Sequence, residues 1–216
     1  EFLFYFQLNF FMTYPRSDWY MLTPSGALRA FGAKQTDEIA QSLQALLTGE
    51  TALEGAAWMQ KAGLNQAGIA ELQAQGWVQA LTRPMQGPDA RLDDFLQHVI
   101  AALSGERRVV LASEGGFCLG RCGVSQDEAE VLSAAAADFS EFAMRQARRG
   151  WQGASGYVAF HSDPEFLMPA HAFVPFWVDG AGYWLVLMGE PLLNNPALVE
   201  LLWGIKQAGA RFSLGG

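Results

Sequence analysis

The chain is short of charge. Asp, Glu, Lys and Arg make up only 17% of its 216 residues, against roughly a quarter in ordinary soluble domains. Much of the surface is therefore neutral or apolar, which points to buried interfaces. Basic residues are the scarcer sign: 14 Lys and Arg face 22 Asp and Glu, for a net charge of −8. An acidic chain binds nucleic acid poorly unless its few cations cluster. Two cysteines make no disulfide framework and imply a reducing compartment, so the expected location is cytoplasmic. No apolar run approaches the roughly 18 residues that span a bilayer. Catalytic signatures are also missing. Glu114-Gly115-Gly116 lacks the Lys and Ser/Thr of a phosphate-binding loop, and Gly153-Ala154-Ser155-Gly156 lacks the nucleophile-elbow pattern. What the chain does have is apolar mass: 50% hydrophobic residues, which excludes intrinsic disorder. Its length allows one domain or two small ones.

Residues 1–11 (EFLFYFQLNFF) hold six aromatic residues and no basic one, so they are not a secretory signal. Met12 reads as a natural start. The stretch is expected to be a leader of cloning origin or, as the competing reading, a strand that pairs with a partner's edge.

Two blocks follow, residues 19–81 and 90–212, joined by a linker at residues 82–89 (TRPMQGPD), where two prolines and a glycine precede a capping Asp. In the first block, residues 19–31 (WYMLTPSGALRAF) read as a hairpin turning at Pro-Ser-Gly. Residues 36–48 place Ile39, Leu43, Leu46 and Leu47 on one helical face. Residues 51–62 continue with a second helix, ended by Gly63, and Asn65 caps a third that Gly76 ends before a strand at 77–81. A hairpin, three helices and a closing strand are the elements of a winged helix, and residues 52–81 (helix, AGLNQAGIAELQ, QGWVQAL) resemble winged-helix domains. DNA reading is not expected of it. The helix at 65–75 carries no Lys or Arg, and Arg29, Lys34 and Lys61 face Asp37, Glu38, Glu50, Glu54 and Glu71, so the module is repelled by phosphate. Protein contact is the expected use.

The second block opens with an amphipathic helix bearing Leu92, Phe95, Leu96, Val99, Ile100 and Leu103 on one face. Strands at 107–113 and 117–122 flank the Glu114-Gly115-Gly116 turn. Ser125 and Glu128 have capping-box spacing ahead of a helix that runs to about residue 149. Three strands at 153–161, 170–178 and 182–188 and a helix at 196–208 complete the order α-β-β-α-β-β-β-α. The segment RRVVLASEGGFCLGRCGVSQDEAEVLSAAAADFSEFA and the late GYWLVLMG resemble the Roadblock/LC7 family. That resemblance covers about the last 120 residues. It implies an α+β fold with a five-stranded antiparallel sheet flanked by helices. It also implies a homodimeric, non-catalytic scaffold or regulator of small GTPases, a kind that in bacteria accompanies motility and polarity GTPases.

Several residues invite a role. Arg145, Arg148 and Arg149 with Trp151 form the sharpest candidate partner surface, fit for an acidic partner, because Arg and Trp are favoured interface anchors; the blander account is a solvated last turn whose cations suit the helix dipole. Ala134 and Ala137, with Phe139 and Phe142 at their margins, are the candidate dimer interface, since an alanine run allows close helix approach. Cys118 and Cys122, four apart on a strand, should share a face about 13 Å apart, too far to bond, and buried apolar cysteine is the plain expectation. His161, Asp163 and His171 could meet by strand pairing and hold a metal, though a polar loop at a strand end is the blander account. His98 is expected to be a partly buried spacer. No cofactor or metal is expected. Two other functions compete with the scaffold: a winged-helix transcription regulator, and a small-molecule sensor of PAS- or profilin-like fold, with Phe166, Phe173, Phe176, Trp177 and Trp184 able to line a pocket.

Overall fold

The computed structural model describes residues 19–88, 92–151, 156, 158–161 and 169–213; the leader at 1–11, Asp163 and Phe166 lie outside them. The first block begins with strand β1 (Trp19–Leu22) and helix α1 (Pro24–Phe31). A hairpin is therefore not formed at Pro-Ser-Gly. Thr23 is the N-cap of α1: its hydroxyl accepts from Gly26 N at 3.0 Å, and Pro24 occupies the first helical position, where its missing N–H is harmless. The amphipathic run Ala27, Ala30 and Phe31 is buried, and that burial decides the matter.

Helix α2 (Glu38–Gln44), capped by Asp37, runs into a single 3₁₀ turn at Ala45–Leu47. The helix expected from residue 51 starts later. Leu53–Glu54 forms the short strand β2, and α3 (Gly55–Ala62) follows, ending at left-handed Gly63. Asn65 caps α4 (Gln66–Ala74), accepting from Gly68 N at 2.9 Å, and β3 (Val78–Leu81) closes the block. The three strands form an antiparallel sheet in the order β2-β1-β3. Trp58 of α3 is fully buried, donating from Nε1 to Ser42 O at 2.8 Å.

The second block follows the order expected of it: α5 (Leu92–Ala101), β4 (Val109–Ser113), β5 (Cys118–Cys122), α6 (Gln126–Arg148), β6 (Val158–Phe160), β7 (His171–Val178), β8 (Ala181–Met188) and α7 (Pro196–Ser213). The five strands make one antiparallel sheet in the order β5-β4-β8-β7-β6. Asp179-Gly180 turns β7 into β8 with both residues at positive φ, the type I′ geometry that suits strand twist. Alternation splits the sheet cleanly. Val109, Leu111, Val174, Phe176, Leu185 and Leu187 face α5, α7 and the first block. Val110, Ala112, Phe173, Trp184, Val186 and Met188 face α6. Phe176 stacks on Tyr183 at 5.3 Å, and burial, reinforced by the Asp179 charge, pushes the Tyr183 phenol above its ordinary pKa.

The fold is thus α+β, with a five-stranded and a three-stranded antiparallel sheet. No helix among the described residues is long and apolar enough to cross a membrane.

Candidate functional site

Helix α6 positions most of the residues that the sequence singles out. Ser125 caps it, accepting from Glu128 N at 3.2 Å. The Glu128 carboxylate reaches across to Arg108 at 2.6 Å, tying the helix start to β4. Ala129, Ser133, Ala136 and Ser140 recur at helical spacing and are buried against the sheet. Trp184 Nε1 donates to Ser140 Oγ at 2.7 Å, and that hydroxyl donates in turn to Ala136 O.

The four candidate dimer residues fall at three levels. Ala134 and Phe142 are exposed, and Ala137 is half-buried over the Gly116 turn. Phe139 turns inward: its ring lies 4.9 Å from Phe173, 5.7 Å from Phe160 and 6.1 Å from Trp184, within the chain's own aromatic cluster. The candidate partner residues lie together at the C-terminal end of α6. Arg145 pairs with Glu141 one turn back at 3.3 Å, and Arg148 and Arg149 are exposed. Trp151 is 55% exposed and meets Phe142 edge to face at 6.2 Å. With Phe142 at 40% and Met144 at 47% exposure, this end of the helix is an open apolar patch bordered by cations.

Beside that patch lies a groove of about 500 Å³. Its floor is the α6 face of the sheet at Trp177 and Trp184. Ser140, Ala143, Met144 and Ala147 of α6 form one wall, and Trp151 closes one end. The opposite wall is residues 32–35, between α1 and α2, which reach across from the first block. At the rim Lys34 Nζ lies 3.2 Å from Glu114 Oε1. Trp177 carries the one buried side-chain nitrogen or oxygen, among the described residues, that has no hydrogen-bond partner: its indole Nε1. Trp177 and Trp184 are legible in the sequence as pocket candidates, whereas Phe173 and Phe176 are buried in the core on opposite faces of the sheet. Lys34, Glu114 and Met144 are not legible, because only the docking of the first block on the sheet brings them together.

Two further expectations change, and a third, the His161, Asp163 and His171 cluster, includes a residue outside those described. Cys118 and Cys122 do not share a face. Leu111 pairs with Gly120 but Ala112 with Cys118, so a bulge at Leu119 shifts the register. Cys118 then packs on the α6 side and Cys122 on the other. Both thiols are free and half-buried. His98 is exposed, because the buried stripe of α5 runs through Leu96, Val99 and Ile100. Strand pairing sets His171 opposite Phe160, next in sequence to exposed His161. No group of three or more metal-ligating side chains forms among the described residues. The chain matches no protein-family model, no curated protein and no solved structure.

Proposed function

We propose that the protein is a cytoplasmic, homodimeric scaffold or regulator of the Roadblock/LC7 kind, preceded by a winged-helix-like block. In this reading it has no catalytic site and acts by contact on a small GTPase or another signalling protein. The observation that carries the reading is the apolar patch at the C-terminal end of α6. Phe142, Met144 and Trp151 are exposed there beside Arg145, Arg148 and Arg149, and aromatic residues, Met and Arg are the types enriched at interfaces. The α-β-β-α-β-β-β-α order and its five-stranded antiparallel sheet support the family resemblance. The acidic first block favours a protein partner over DNA.

Size-exclusion chromatography with light scattering tests the dimer. The chain should elute as a dimer, and A134R with F142R should give a folded monomer. A strict monomer at high concentration overturns the reading. Reversal of the cations by R148E with R149E should weaken nucleotide-dependent capture of a small GTPase while leaving the dimer intact. A ligand-sensing role is the second reading, and the groove between the blocks is the observation that favours it.

A further inference from the structure

The groove floored by Trp177 and Trp184 is half-open to solvent and shaped by several elements. Its volume of about 500 Å³ lies in the range of small-molecule sites. Three kinds of element converge on it: the sheet, α6 and the loop at residues 32–35. Its surface is mostly aromatic and aliphatic, so it takes a flat apolar body that can stack on indole rings. Its polar equipment is sparse and specific. The rim charges, Lys34 and Glu114, sit 3.2 Å apart and cancel, so neither an anion nor a cation gains from the mouth as a whole. The Trp184 indole N–H is already bound to Ser140. The Trp177 indole N–H is not bound and is sealed from solvent. A donor left in that state carries a desolvation penalty, and native structures seldom leave one without a reason.

We propose that this groove binds a small, neutral, planar aromatic compound whose carbonyl oxygen accepts the Trp177 Nε1 hydrogen bond. The ring system stacks over the floor indoles, and the carbonyl supplies the missing acceptor. Because Nε1 is closed to water in the unliganded groove, the ligand reaches it only when a side chain of the groove gives way. This site rests on the ligand-sensing reading and not on the dimer, although Met144 and Trp151 belong both to the groove and to the apolar patch.

Three isosteric probes separate the chemistry: 2-naphthamide (neutral, with a carbonyl), 2-naphthoate (anionic) and 2-naphthylmethylammonium (cationic, with no acceptor). Each is titrated into the full ¹⁵N-labelled chain, and the tryptophan indole N–H signals are followed by NMR, with the Trp177 signal assigned by its loss in Trp177→Phe. The amide should move the Trp177 signal downfield and bind the tightest of the three. Trp177→Phe keeps an aromatic floor but removes the donor, and should weaken the amide about fivefold, the worth of one hydrogen bond. Ala143→Trp fills the groove from α6 and should abolish binding while Trp177 is retained. A Trp177 signal unmoved at millimolar amide overturns the proposal, as does tightest binding by the cation or the anion. Unchanged amide affinity in folded Ala143→Trp protein also overturns it.

Discussion

Arg29 ties two parts of the first block together. It lies over the Trp77 ring at 5.5 Å and pairs with Asp37, and Asp37 also caps α2 by accepting from Ala40 N at 2.8 Å. The Arg29 hydrogen bond, with the Ala40 N–H behind it, holds the Asp37 carboxyl below its ordinary pKa. The sign of the consequence follows from linkage. A folded-state pKa below the unfolded value of about 3.9 means that the stabilisation is present above that pH and is lost as pH falls through the folded value. Asp37→Asn keeps a good cap but removes the charge. The melting temperature of the variant should therefore fall below that of the wild type at neutral pH and converge with it under acid, once pH has dropped below the folded-state value. A gap that persists unchanged into acid would show that Arg29 gains nothing from the carboxylate. Asp37 is exposed, so the neutral-pH gap should be small and should shrink in high salt.

Among the elements, α1 shows what local sequence leaves open. Thr-Pro-Ser-Gly serves equally as a turn and as a capped helix start, because Pro favours both the second residue of a turn and the first of a helix. The deciding fact is non-local: Gly26 lies against the Trp77 carbonyl so closely that a Cβ on it would come 1.9 Å from that oxygen. Thr23 completes the seam, its N–H donating to Trp77 O and its hydroxyl to Gly76 O. Helix α1 is thus fixed to the start of β3, which lies more than fifty residues away. Gly26→Ala raises intrinsic helix propensity, and in an isolated helix it would stabilise. Here it should destabilise the protein by about 3 kcal/mol, the scale of overpacking at an unyielding contact, as read from the shift in urea midpoint. An unchanged midpoint would mean that the α1–Trp77 seam is loose. Some elements are plainer in the sequence. Alternation and caps mark β4, β8 and α6 correctly, because each of those signals lies within the element itself. The Leu119 bulge escaped for the opposite reason: one extra residue in a strand leaves no trace in composition, yet it sends Cys118 and Cys122 to opposite faces.

On the scale of the whole molecule, the 82–89 segment joins two blocks that share one buried cluster, while a second cluster under α6 belongs to the second block alone. The apolar stripes of α2, α5 and α7 are each visible as periodicity, but periodicity does not say which stripe covers which. In the structure Phe31, Leu46 and Trp58 of the first block belong to the same buried cluster as Leu96, Phe176 and Leu202 of the second. Trp203 of α7 is the joint. Its ring is buried and its Nε1 donates to Gly49 O at 2.8 Å, with Gln207 Nε2 donating to the same carbonyl at 3.0 Å. Even the connecting segment is engaged, since Met85 O accepts from Ala52 N and Gly87 N donates to Glu50 O. The same docking brings Lys34 to the rim of the tryptophan groove, which is why that site lies beyond the reach of either block's sequence alone. Blocks that share one core should unfold together: calorimetry should show a single transition, with calorimetric and van't Hoff enthalpies equal. Trp203→Ala removes a buried aromatic ring and the donor to Gly49, and should cost about 3–5 kcal/mol. Its distinguishing effect is on shape: the one transition should move to lower temperature as a unit, reported equally by the Trp58 environment in the first block and the Trp184 environment in the second. Two resolved transitions in the wild-type chain, or a Trp203→Ala variant in which only α7 and the second block soften, would show that the blocks are stable apart and that the groove between them is an accident of contact.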